Sequence, residues 1–267
     1  MFYKLIPTLF YKISMAENAS KPPREVMPSS PLISAIRNVS GSGVAGAHVP
    51  AVFVSTHERM LEFLQKNLSF NSSEIGSVKE ALLGIGRAAK KGDGSVLSTL
   101  AYVLEKMSPL GKEQVSQFID QMWATSTGAR DPLSLIAVLN TVTRVLSLCE
   151  KHQSGGEEIS ALVFSIMIDI KQISKKVTDK QCFLDVLNSS NHIQDPDFVS
   201  SYFEYLAELS REVKDEKNPS GKVSQFTVMR QAKEIEAEAE KGTEHAKDLI
   251  KRLYKKLEEL KSSKPPA

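Results

Sequence analysis

Positive charge is concentrated in one short stretch near the C-terminus. Four cations occur within six residues: Lys251, Arg252, Lys255 and Lys256. Tyr254 stands among them, and the surrounding pattern predicts a helix. Cations clustered in this way bind phosphate groups, each contributing on the order of 1 kcal/mol near an anionic surface. A solvated helix face is the alternative explanation, because Asp248 and Arg252 form an i,i+4 pair.

The preceding helical stretch has the opposite charge. Its four glutamates alternate along the chain: Glu234, Glu236, Glu238 and Glu240. Like charges four residues apart, such as those of Glu234 and Glu238, weaken an isolated helix. Antiparallel pairing would bring the two signs together, so we expect a helical hairpin that turns near Gly242. The sequence thus predicts a candidate partner surface made of Glu234, Glu238, Lys251, Arg252, Tyr254, Lys255 and Lys256.

The second of these helices also has an apolar seam. Its members follow the 3,4 spacing of paired helices: Thr243, Ala246, Ile250, Leu253, Leu257 and Leu260. The rhythm changes frame at Gly242, so fewer than the three to four heptads of an extended coiled coil are present. We expect the seam to pack within the hairpin or against the rest of the chain.

Glycine-rich patterns in the chain lack the context of a nucleotide site. GSGVAG, residues 41–46, has G-x-G-x-x-G spacing, but Pro50 stands where the following helix should run. GIGRAA, residues 84–89, lies inside a helical pattern, and no G-x-x-x-x-G-K-[ST] loop occurs in the sequence. The sequence therefore predicts no bound nucleotide cofactor.

Metal and nucleophile chemistry has no local signature either. The five histidines never occur at H-x-x-x-H spacing, and Cys149 with His152 provides only two of the four ligands of structural zinc. No G-x-S-x-G elbow occurs. We therefore expect no metal site, no catalytic residues and no enzymatic activity.

The elements that position these residues are predicted to be helices throughout. Helix starts are expected at Ser55, Ser77, Ser108-Pro109, Asp131-Pro132, Glu157, Thr178 and Asp195-Pro196. Only AVFV, residues 51–54, leans towards a strand. The prediction is an all-α fold, an irregular multi-helix bundle of about nine or ten helices. A short HEAT-like α-solenoid is the alternative, because helix starts recur about every 40 residues without residue-level self-similarity.

Composition divides the chain into three parts. Residues 1–54 are rich in Ser, Pro and Gly and are expected to form a disordered or loosely docked tail. Residues 55–218 form the predicted helical core domain. Residues 219–267 contain the C-terminal helical hairpin and a short tail.

Charge and cysteine content limit the partners and the compartment. The net charge of +2 creates no field that concentrates polyanions. Cys149 and Cys182 lie in apolar helical stretches, which indicates buried thiols in a reducing compartment. No run of about 18 uncharged apolar residues is evident, so no transmembrane segment is predicted. We expect an intracellular, cytoplasmic protein; residues 1–14 allow a mitochondrial targeting peptide as the alternative, and Lys12 interrupts a secretory signal.

These features favour a non-enzymatic protein-protein interaction or scaffold protein. Its C-terminal charged helices would contact a protein partner or a second copy of the chain. A helical carrier of an apolar, lipid-like ligand is one alternative, since several helices are apolar almost all round. An RNA-binding or packaging protein is another, because of the lysine clusters.

Overall fold

A computed structural model describes residues 49–88, 94–129, 131–216 and 218–262. Ten α-helices occupy these ranges: α1 (Val49–Leu68), α2 (Ser72–Ala88), α3 (Gly94–Met107), α4 (Lys112–Ala129), α5 (Pro132–His152), α6 (Gly156–Lys176), α7 (Lys180–Ser189), α8 (Pro196–Arg211), α9 (Gln225–Lys241) and α10 (Thr243–Ser262). Short 3-10 turns follow α3 at Ser108–Leu110 and α7 at Ser190–His192. These ranges contain no β-strand, which confirms the all-α prediction.

The predicted N-terminal tail lies mostly outside the described residues. Its residues 1–48 are not among them, so the expectation of disorder stays a prediction. Residues 51–54, which lean towards a strand by composition, are helical within α1. Neighbouring turns of a helix override the weak β-propensity of so short a run.

Most helices pack on the next helix but one along the chain. The principal contacts join α2 with α4, α3 with α5, α4 with α6, α5 with α7, α6 with α8, and α7 with α9. Odd-numbered and even-numbered helices therefore stack in two series. This order lies within the predicted all-α multi-helix fold, and α9 and α10 also pack directly on each other.

Aspartate caps at helix starts agree best with prediction. Asp131 accepts hydrogen bonds from the amides of Leu133 and Ser134, and Asp195 does the same for the start of α8. Proline follows each of these aspartates and has no amide hydrogen to leave unsatisfied. At α7, however, Asp179 is the cap rather than the predicted Thr178.

Three other predicted starts are wrong. Ser55 lies inside α1, and Ser77 lies inside α2. The cap of α2 is Asn71, whose side chain accepts from the amide of Glu74 at 3.0 Å while Glu74 accepts from the amide of Asn71 at 2.8 Å. Residues 108–110 form a separate 3-10 turn, and α4 begins beyond Gly111, which has a φ of 101°.

The core is one continuous apolar cluster that includes side chains from every helix. Its largest fully buried members include Tyr202, Tyr205, Phe118, Phe198 and Phe203. The two cysteines are buried and unpaired, as predicted. Burial raises the pKa of Cys182 to about 11, so this thiol stays protonated at neutral pH.

One helix bears on the prediction that the chain has no transmembrane segment. By length and composition, α5 is long and apolar enough to cross a membrane, and 56% of its most apolar window is buried inside the protein. A core helix enclosed by its neighbours meets the same two criteria.

Candidate interaction surface

The predicted hairpin is formed by α9 and α10. Ser224 caps α9 by accepting a hydrogen bond from the amide of Thr227 at 3.2 Å. Gly242 ends the helix with a φ of 139°, which only glycine adopts without strain. The next helix begins at Thr243, so the turn lies where the sequence predicts it.

The apolar seam of α10 closes the protein's own core. Four of its residues are buried, Ala246, Ile250, Leu253 and Leu257, and Leu249 is buried beside them. They belong to the same cluster as Val228, Ala232 and Ile235 of α9. This face is already covered, which leaves the polar face of α10 for a partner.

Tyr254 belongs to the covered side rather than to the exposed cations. Its ring meets that of Tyr205 on α8 edge to face, with centroids 5.1 Å apart. The Tyr205 hydroxyl donates to the side chain of Gln231, which joins α8 to α9. Tyr254 thus packs inwards and anchors α10, whereas the sequence predicts it among the exposed cations.

Charged side chains tie α10 down at both ends. Lys247 pairs with Asp195, the cap of α8, at 3.1 Å, and this contact raises the pKa of Lys247. Lys261 pairs with Glu208 of α8 at 3.3 Å. Lys222 donates to the carbonyl of Leu260, one of the last carbonyls of α10, which have no partner within the helix.

The four predicted cations form one exposed cationic strip: Lys251, Arg252, Lys255 and Lys256. The Lys251 side chain is 75% exposed and pairs with Asp248 at 3.3 Å. Lys255 and Lys256 make no ion pair with any residue that the structure describes. Among the described residues, the strip therefore has charge that no ion pair neutralises.

The acidic residues of α9 do not neutralise the strip as expected. Within the described ranges, no ion pair joins the four glutamates to the four cations. Glu238 pairs with Lys241 at 2.7 Å, and this hydrogen bond lowers the pKa of Glu238. Glu234 is exposed on the same helix. The geometry brings Glu238 near the strip but does not pair the two helices through charge.

A surface groove lies where the two helices diverge from their turn. It has a volume of about 420 Å³ and is lined by Glu238, His245, Asp248, Lys251 and Arg252. Both signs of charge line it. It adjoins the strip, because Lys251 and Arg252 belong to both.

Two polar clusters lie outside the predicted partner surface. The first, the His–Glu cluster, consists of His192, Glu236 and Glu240, whose ligand atoms lie within 4.8 Å of one another. The two glutamates are visible as an i,i+4 pair, but no local pattern connects them with His192 on another element. The stacking of α9 on α7 brings them together.

The second cluster surrounds Asp169 on α6. Its spacing from Ser165 and Gln172 suggests a solvated stripe, but Asp169 is half-buried. Burial, with the charges of Glu204 and Glu208, raises its pKa to about 6, while Arg211 acts in the opposite direction. Asp169 also helps to raise the pKa of Tyr254, whose buried hydroxyl makes no hydrogen bond within the described residues.

Comparison of the chain with family models, with curated proteins and with solved structures finds no match in any of the three.

Proposed function

We propose that this protein is a non-enzymatic interaction protein that binds an acidic surface of a partner protein through the cationic strip. The observation that carries the proposal is the state of Lys255 and Lys256. Both are exposed and unpaired within the described residues, on a helix that is anchored at both ends. Such unneutralised charge is available to a partner of opposite sign.

The anchoring of α10 supports the proposal energetically. Binding a flexible segment costs ordering entropy, whereas a preformed helix loses only the rotamer freedom of its exposed side chains. Here the buried seam and the contacts of Lys247 and Lys261 hold the backbone before any partner arrives. The positive charge of the strip would also increase the rate at which the two proteins meet, and this increase would become smaller as salt is added.

A protein surface suits the strip better than nucleic acid does. Asp248 lies within the strip's own helix, and Glu238 faces the adjoining groove. These carboxylates would repel a continuous phosphate backbone, and the net charge of +2 supplies no general attraction for polyanions. An acidic protein partner can present carboxylates opposite the strip and neutral groups opposite Asp248. The RNA-binding and apolar-carrier hypotheses stay predictions.

The test reverses charge in the strip and at a matched distant location. Lys255→Glu/Lys256→Glu changes the strip, and Lys79→Glu/Lys151→Glu makes the same charge change on exposed positions of α2 and α5. Each full-length variant is purified from the source cells in parallel with and without nuclease treatment, and co-purified proteins are quantified by mass spectrometry.

We expect a partner that the wild-type protein and the α2/α5 variant both retain, and that the strip variant recovers at least tenfold less. The partner should also wash off as salt rises. Equal recovery by all three proteins would contradict the proposal. Loss of the co-purified material on nuclease treatment would instead favour the RNA alternative.

A further inference from the structure

We propose that the His–Glu cluster is a binding site for a divalent transition-metal ion of the Zn²⁺ class. His192 closes the 3-10 turn after α7, and the two glutamates lie one turn apart on α9. The imidazole Nε2 is 2.9 Å from Glu236 Oε1, and Nδ1 is 3.3 Å from Glu240 Oε1. The site contains no residue of the cationic strip, so it is independent of the proposed partner binding.

The two carboxylates that face His192 favour a cation at this position. A neutral imidazole has one N–H group, yet both of its ring nitrogens face a carboxylate oxygen. One nitrogen lone pair therefore points at a carboxylate oxygen unless a proton or a metal ion lies between them. The two carboxylates carry two negative charges, which one divalent ion balances.

Surrounding contacts hold two of the three ligands in place. Ser189 donates a hydrogen bond to Glu236 Oε2 at 2.8 Å, which leaves Oε1 directed towards the imidazole. The turn that ends at His192 is fixed on its other side by Ile193, which is buried and whose carbonyl accepts from the guanidinium of Arg144. Hydrogen bonds of this kind to the ligands orient metal sites and tune their affinity.

The third ligand is free to adjust. Glu240 is 58% exposed, so rotation about its side-chain bonds meets little resistance. Zn²⁺ bound at Nε2 would take Glu236 Oε1 as its second ligand and Glu240 as its third, with water in the fourth position. Ligand atoms of a tetrahedral zinc site lie about 3.3 Å apart at bond lengths near 2.0 Å, whereas those of the three residues lie within 4.8 Å of one another. Binding therefore requires the exposed Glu240 side chain to rotate from Nδ1 to the Nε2 side of the imidazole.

The charge of α9 favours the same occupant. Glu236 and Glu240 repel each other at i,i+4 spacing, and both lie in the second half of the helix, towards the negative end of its dipole. A cation between them relieves both effects. The imidazole nitrogen selects against Ca²⁺ and Mg²⁺, which prefer oxygen ligands throughout.

The proposal is tested by titrating the full chain with Zn²⁺ after chelator treatment, using isothermal calorimetry. The wild-type protein should bind one Zn²⁺ per chain. His192→Ala and Glu240→Gln should each lower the affinity at least tenfold, and Ser189→Ala about tenfold through Glu236. The matched control is His152→Ala, which removes an exposed histidine at the end of α5.

A second readout separates binding from folding. At the lowest Zn²⁺ concentration that saturates the wild-type protein, the thermal unfolding midpoint of the wild type and of His152→Ala should rise, and that of Glu240→Gln, whose exposed position leaves the fold intact, should rise less. The proposal is overturned if the wild-type chain binds no Zn²⁺, if Glu240→Gln binds as tightly as the wild type, or if His152→Ala weakens binding equally.

Discussion

Asp169 is a residue whose ionisation opposes folding. Its pKa in the folded protein is about 6, against an ordinary value of 3.8. The folded state therefore holds the proton more tightly than the unfolded chain does. The resulting contribution to stability is complete below the unfolded pKa and is lost as pH rises through about 6. At neutral pH the half-buried carboxylate near Glu204 and Glu208 destabilises the fold.

Replacing this carboxyl by a neutral amide should stabilise the protein in a pH-dependent way. We expect Asp169→Asn to raise the free energy of unfolding at pH 7.5 by roughly 1 kcal/mol, allowing for solvent screening of a partly exposed group. The gain should largely disappear at pH 5. Urea unfolding at the two pH values measures it, with Asp120→Asn on an exposed face of α4 as control. The same gain at both pH values would show that ionisation is not its cause.

Asp131 should contribute more to stability than its ion pair alone suggests. It caps α5 through the amides of Leu133 and Ser134 and also pairs with Lys180 at 3.0 Å. Asp131→Ala should cost about 1–2 kcal/mol in the free energy of unfolding, because two amides at the helix start lose their acceptor.

The control for this prediction removes only the ion pair. Lys180 is half exposed, so Lys180→Ala should cost no more than about 0.5 kcal/mol. Chemical denaturation of the two variants gives the comparison. Equal costs would mean that the cap contributes nothing beyond the ion pair.

At the scale of elements, one glycine of α2 makes room for an indole ring of α4. A Cβ atom at Gly84 would lie 2.3 Å from Nε1 of Trp123, far inside contact distance. The indole lies across the glycine and is 42% exposed. Because its outer edge is open to solvent, an added methyl group would push the ring outwards rather than separate the helices.

Gly84→Ala therefore has two opposing effects. Alanine favours a helix interior by about 1 kcal/mol over glycine, whereas displacement of the indole loses packing. We expect the variant to show red-shifted emission of Trp123, the single tryptophan of the chain, with no gain in stability. In a Trp123→Ala background, the same change should stabilise by about 1 kcal/mol in circular-dichroism melts. Unshifted emission would contradict this account.

The helix starts show which element boundaries are readable from sequence. Asp131 and Asp195 are found because a capping carboxylate directly precedes a proline, a combination that has little use inside a helix. The serines at 55 and 77 mislead because Ser followed by Glu three residues later also fits an exposed helix interior. Asn71, with Glu74 three positions on, presents the same kind of signal as those serines and could have been chosen instead.

The candidate sites likewise differ in whether a single helix encodes them or the packing of several elements does. The seam and cations of α10 are readable because they follow the period of a single helix. The inward position of Tyr254 depends on the ring of Tyr205 on α8, which helical spacing does not place. His192 and Glu236 meet only because α9 stacks on α7, a relation between elements that no local pattern encodes.

At the scale of the whole molecule, the alternating packing predicts that the stability of each helix depends on its position in the stack. Helix α6 lies between α4 and α8 and also contacts α5, whereas α10 has α8 and α9 as its principal neighbours. In stacked helix pairs each unit is stabilised mainly by the units beside it. The C-terminal end of the stack should therefore open at a lower free energy than the centre.

Native-state hydrogen exchange can test this gradient with two matched cavities. Leu257→Ala in α10 and Ile170→Ala in α6 each remove a buried aliphatic side chain, at a cost of about 2–5 kcal/mol. We expect Leu257→Ala to accelerate exchange in α9 and α10 while the amides of α6 keep their protection. Ile170→Ala should accelerate exchange throughout the described helices.

The alternative outcome has an equally definite physical meaning. If Leu257→Ala accelerates α6 as much as α10, the continuous apolar cluster unfolds as one unit despite the alternating packing. If the gradient is present, the cationic strip lies on a part of the stack that is less stable than its centre. A partner bound to the strip would then slow hydrogen exchange most in α9 and α10, because the opening of these helices would release the partner.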